Sequence, residues 1–213
     1  MKLEGIKANF LGDSITEGVG VSAKDKTYHA VLAKNAGLAV ARNYGISGTC
    51  FARQTELTSS LERHNLDFCM RVSEMDADAD LVVVFGGTND YGRGIAPLGE
   101  MNDCTEYTFY GACHVLARSL IERYPSARIV FMTPLQRTAP SHFEGMPPLT
   151  AYVAAIKEVC AFYSIPVLDL YATAGIHPAL DVHKTRFMPD GLHPSDAGAA
   201  RLAERLEAFL RAL

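Results

Sequence analysis

Four short polar clusters carry residue types that could do chemistry together. They are Gly12-Asp13-Ser14, Gly45-Ile46-Ser47-Gly48, Gly86-Gly87-Thr88-Asn89-Asp90 and Pro189-Asp190-Gly191-Leu192-His193-Pro194. Acyl transfer needs a nucleophile, a base, a group that orients the base, and donors for an oxyanion. Ser14 can be the nucleophile and His193 the base. Asp190 stands three residues before His193, so the two side chains can meet within one turn. Its carboxylate then accepts from the imidazole Nδ1–H and leaves Nε2 for Ser14. The oxyanion donors would be the backbone N–H groups of Ser14 and Gly48 and the side-chain amide of Asn89. Glycine at 48 lets the backbone approach a substrate closely.

Each cluster alone has a plainer use. Gly-Asp-Ser and Asp-Gly are good turn chemistry, and a Gly-rich loop before a helix can hold a phosphate. Their weight comes from where the elements put them. Short apolar runs cover residues 6–11, 38–44, 81–85, 129–132 and 167–170. The third, Leu81–Phe85, is continuously β-branched and aromatic, as in a strand covered on both faces. Helical spacing lies between the runs, over residues 28–35, 105–124 and 149–163, and in a last helix capped by Ser195. Strands alternating with helices predict a parallel sheet with helices on both sides, a three-layer α/β/α sandwich. In such sheets the working site lies outside the carboxyl ends of the strands. The first three clusters follow apolar runs directly, and the fourth follows the fifth run beyond a loop. All four therefore fall on one rim. Residues 135–148, with Gly145 and three prolines, read as an irregular surface loop.

Composition narrows the classes. The 213 residues suit one domain spanning 1–213, and 48% hydrophobic with 21% charged is ordinary globular usage. A net charge of −4 and no Lys/Arg stripe argue against a nucleic-acid partner. Cys50, Cys69, Cys104, Cys113 and Cys160 form no C-x-x-C pair and read as reduced thiols. No stretch approaches the ~20 apolar residues of a membrane span. The N-terminus has no apolar segment of signal-peptide length. The expectation is a cytoplasmic protein; a leader removed earlier would leave no trace.

With these motifs in place the chain resembles the SGNH, or GDSL-type, hydrolase family. The family is named for a Ser, a Gly, an Asn and a His in four blocks. Here they fall on Ser14 in LGDSIT, Gly48 in NYGISG, Asn89 in GGTND and His193 in DGLHPS. The resemblance assigns the triad acid to Asp190. It implies a flavodoxin-like five-stranded parallel sheet of order 2-1-3-4-5. Ile15 replaces the Leu of the short family name. G-D-S-I-T also differs from the G-x-S-x-G elbow, which disfavours an α/β-hydrolase of that type. The implied activity is hydrolysis of a small-molecule carboxylic ester through an acyl-enzyme on Ser14. Family members act on short-chain esters, acetylated carbohydrates, lysophospholipids and acyl thioesters. The reading leans to acetyl groups on a polar or carbohydrate-like alcohol. The alternatives are a lysophospholipase or thioesterase with the same triad, and a non-catalytic ligand-binding module.

Other residues are weighed against plainer roles. Loops over residues 91–102 and 135–148 would shape the pocket, with Tyr91, Arg93, Arg137, His142 and Phe143 among their residues; Asp13 could also contribute. Asn43 could bond the Gly48 loop, Asp90 could brace its own loop, and Cys50 reads as a small buried residue. His177, Asp181 and His183 are a weak metal signal without a third clear ligand, so neither metal nor cofactor is expected. His29, His64, His114 and His142 show no partner pattern. Arg201, Arg205 and Arg211 alternate with Glu204 and Glu207 as a solvated face. Spacing leaves a homo-oligomer open.

Overall fold

The computed structural model describes residues 1–213. Five strands form one sheet: β1 (Lys7–Gly12), β2 (Val40–Gly45), β3 (Leu81–Phe85), β4 (Arg128–Met132) and β5 (Val167–Leu168). All pairings are parallel and the order is β2-β1-β3-β4-β5. Nine α-helices accompany them: α1 (Ser14–Glu17), α2 (Tyr28–Ala36), α3 (Phe68–Arg71), α4 (Thr88–Gly92), α5 (Phe109–Arg123), α6 (Leu149–Phe162), α7 (Leu170–Thr173), α8 (Asp181–Phe187) and α9 (Asp196–Ala212).

Strand side chains alternate between faces, and the two cores follow that alternation. Leu81, Val83 and Phe85 join Phe10, Val130 and Met132 in a core with Leu32 of α2 and Leu202, Leu206 and Leu210 of α9. Val82 and Val84 join Leu11, Ile129 and Phe131 in a second core with Leu116 and Leu120 of α5 and Ile156 and Val159 of α6. All five residues of β3 are buried, as its uniform apolar run requires. The three-layer arrangement and the strand order are those expected.

Element ends moved where side chains cap them. α5 starts at Phe109 rather than near 105, because the Thr108 hydroxyl accepts from the Gly111 N–H (3.1 Å). β5 stops at Leu168 rather than 170, because Asp169 caps α7 by accepting from the Ala172 N–H (3.2 Å). α8 was not expected; it buries Phe187 beneath α9. Residues 133–148 hold no helix or strand, as expected. No helix is long and apolar enough to cross a membrane.

Candidate active site

β1 and β3 are adjacent, while their following connections lead to opposite sides of the sheet. A crevice opens at such a reversal, outside the strand ends. Ser14 begins α1 just beyond β1, and Asn89 lies in α4 just beyond β3. The strand ends on Gly12 for a steric reason. A Cβ there would overlap the Thr16 side chain, which folds back over the strand end as α1 begins. Asp13 caps α1 by accepting from the Ile15 N–H (3.0 Å).

The Ser14 hydroxyl and the His193 Nε2 are 3.0 Å apart. On the other side of the ring, Nδ1–H donates to Asp190 Oδ2 at 2.6 Å. Asp190 Oδ1 accepts from the Leu192 N–H (2.8 Å) and the His193 N–H (2.7 Å). One Asp-Gly-Leu-His turn thus holds both the carboxylate and the imidazole. Burial raises the Asp190 pKa, but the bonds from the His193 N–H and imidazole outweigh it and hold the carboxyl below its usual range. A carboxylate on Nδ1–H leaves Nε2 as an acceptor, so the imidazole can draw a proton from Ser14.

Three donors converge beside Ser14. The backbone N–H groups of Ser14 and Gly48 donate to no protein acceptor. Asn89 Nδ2 donates one hydrogen to Thr49 O (3.0 Å), which leaves its second for the cavity. Gly48 has φ +77, and a Cβ there would strike the Arg93 guanidinium. Its loop is held from three sides. Glu17 accepts from the Ser47 N–H (2.7 Å) and hydroxyl. Buried Arg71 donates to Gly12 O (3.1 Å), Tyr44 O and Thr49 Oγ1 (2.9 Å). Asp90 accepts from the Phe51 and Ala52 N–H groups, each at 2.9 Å, and so braces this loop, where its own loop was the expectation. Burial raises the Asp90 carboxyl to about 7.

A cavity of about 320 Å³ opens over Ser14. Its walls include Asn89, Gly48, His193, Arg93, Arg137 and His64, and only Val19 and Leu192 of its 12 lining residues are hydrophobic. Arg93 thus takes the position expected of it. Asp13 and Tyr91, expected in the pocket, do not line it. Asp13 is 1% exposed beneath Ser14; its Oδ2 has no partner, and burial raises its pKa to about 6. Tyr91 packs edge-on to Tyr152 and beneath the guanidinium of Arg137. His64 and His142, read as unpatterned, both reach the cavity wall. Asn43 accepts from the Gly45 N–H (2.8 Å) rather than from the Gly48 loop. Cys50 is buried, and all five cysteines are unpaired. Nδ1 of His183 accepts from the His177 N–H (3.0 Å). On α9, Arg211 pairs with Glu207 (2.8 Å) and Arg201 lies 3.8 Å from Glu204.

The model of the GDSL-like lipase/acylhydrolase family matches residues 10–201. The chain belongs to that family. The match runs from β1 to α9 and so takes in all four polar clusters. One similar solved structure is 39% identical, with a TM-score of 0.88, covering 100% of this chain and 99% of that one. Another, from Lactobacillus plantarum, is 31% identical with a TM-score of 0.85, covering 98% of both chains. An aryl esterase from M. smegmatis shares the fold at 19% identity and a TM-score of 0.72, covering 98% of this chain and 100% of that one. No curated protein matches the chain.

Proposed function

We propose that the protein is a serine esterase. It cleaves short acyl groups, acetyl above all, from a polar or carbohydrate-like alcohol. The observation that carries this reading is the continuous bond chain Ser14 Oγ, His193 Nε2, His193 Nδ1, Asp190 Oδ2, with links of 3.0 Å and 2.6 Å. His193 takes the Ser14 proton as Ser14 Oγ attacks the ester carbonyl. The Ser14 and Gly48 N–H groups and the Asn89 amide hold the oxyanion. The intermediate collapses and the C–O bond to the alcohol breaks. His193 returns its proton to the departing alkoxide. Water, deprotonated by His193, then attacks the acyl-enzyme and frees the acid and Ser14.

The polar residue types that predominate in the cavity's lining support a small acyl group and a polar alcohol. A second reading, a lysophospholipase or acyl thioesterase with the same residues, has one observation in its favour. A neighbouring cavity shares Arg93 and His142 and adds Leu57, Ile95 and Phe143; Leu57 is 82% exposed. A p-nitrophenyl ester series from acetyl to octanoyl, run with wild type and Ser14→Ala, separates these. The esterase reading expects Ser14-dependent turnover that falls with chain length, and a loss of ~10³-fold or more in Ser14→Ala. A rise toward octanoyl selects the second reading. Equal rates in both proteins reject both.

A further inference from the structure

We propose that the ester is an anion, and that Arg93 binds a carboxylate or phosphate on its alcohol portion. This rests on the esterase reading of the same site and names its substrate class. Acidic residues outnumber basic ones in the chain, 24 to 20. The cavity over Ser14 inverts that balance. Two arginines, Arg93 and Arg137, line it, and no Asp or Glu does. Arg93 has no carboxylate within ion-pair distance. Its Nη2 donates to Thr58 O, while Nε and Nη1 have no protein acceptor. Nη1 lies against Gly48, beside the oxyanion donors. Arg137 is also without a carboxylate partner, but four of its five N–H groups are engaged. They serve Thr88 O and Oγ1, both at 2.9 Å, Ala139 O at 2.8 Å and Pro140 O at 3.4 Å. Arg137 therefore adds positive field, and Arg93 adds free donors.

Asp13 is buried beneath Ser14 with its Oδ2 unpartnered but does not line the cavity, and the other nearby carboxylates are engaged or elsewhere. Glu17 is held by Ser47 and Arg63, and Asp190 by His193 and Leu192. Glu56 is exposed in the adjoining cavity and pairs with neither Arg93 nor His142. A half-buried guanidinium with spare N–H groups and no internal counter-ion suits a planar or tetrahedral oxyanion. An acetyl group has no place for a charge, which leaves the alcohol to carry it.

The test compares 4-carboxyphenyl acetate and 4-acetoxyphenyl phosphate with neutral 4-carbamoylphenyl acetate. At low ionic strength, kcat/KM for at least one anionic ester should exceed the neutral ester's by about ten- to a hundredfold, mainly through KM. The ratio should shrink in about 0.5 M NaCl. It should collapse in Arg93→Gln and survive in part in Arg93→Lys. Equal kcat/KM for all three esters in wild type, with Ser14-dependent turnover of the neutral one, overturns the proposal and leaves the esterase reading intact. So does a preference that persists in Arg93→Gln. If Arg93→Gln does not fold, wild type decides. Inorganic phosphate should inhibit hydrolysis of the neutral ester competitively, and no inhibition overturns the proposal. Turnover of the neutral ester that is the same in Ser14→Ala would remove the esterase reading, and this proposal falls with it.

Discussion

Asn89 has two amide hydrogens and two separate tasks. One holds the Thr49 carbonyl, and the other is free to meet charge developing on a substrate. Removing one oxyanion donor costs on the order of 100- to 1000-fold in turnover. Asn89→Ala is therefore expected to lose kcat on p-nitrophenyl acetate by that factor while its thermal transition stays cooperative. Near-normal kcat would take Asn89 out of the site. Ser14, Gly48, Asn89, Asp190 and His193 were legible in the sequence because each stands in a polar cluster at an expected strand end or in the turn before a helix. Arg71 and His64 were not. Their partners lie far along the chain or across the cavity, as when Arg71 reaches Gly12 O, and no periodicity marks such contacts. Tyr91 misled for a related reason. Proximity to Asn89 in sequence does not say which side of a one-turn helix faces the cavity.

Strand ends aim the site, and the loop after β2 completes it. That loop has little regular structure of its own between Ile46 and Arg53. Asp90 of α4 ties it down by taking two of its N–H groups. In Asp90→Asn one of those N–H groups would face the new amide N–H and lose its acceptor. Leaving a buried donor unsatisfied costs about 1–3 kcal/mol. Denaturant unfolding should show that loss, and kcat should fall as Gly48 loses its support. Unchanged stability would mean that the loop does not depend on Asp90. Residues 46–80 were the least legible stretch. Side-chain bonds hold their turns, as where Asn65 Oδ1 accepts from the Thr58 and Ser59 N–H groups, so no hydrophobic period needs to appear. β3 was the most legible strand because a strand covered on both faces demands an uninterrupted apolar run, and it matches its run end to end.

Across the whole molecule, the core beneath β1 links folding stability to the site through His29. Its Nε2–H donates to Thr16 O in α1 (3.2 Å), its Nδ1 is buried without a partner, and burial lowers its pKa to about 4. The fold thus favours the neutral ring. That stability is fully present above the unfolded value near 6.5 and is lost as pH falls toward 4. Buried Asp13 and Asp90 act in the opposite sense, because their raised values stabilise the fold at lower pH. A comparison with His29→Phe isolates the histidine. The stability of wild type relative to the variant should fall as pH drops from about 6.5 to about 4, read by chemical denaturation at each pH. A difference that does not change with pH would contradict a neutral buried ring. The central claim is that the sheet presents Ser14 as an activated nucleophile. The most direct test is to treat the protein with a fluorophosphonate and map the adduct by peptide mass spectrometry. The account predicts one adduct, on Ser14, formed far more slowly in His193→Ala. Ester turnover without any adduct on Ser14, or an equal rate of labelling in His193→Ala, would contradict it.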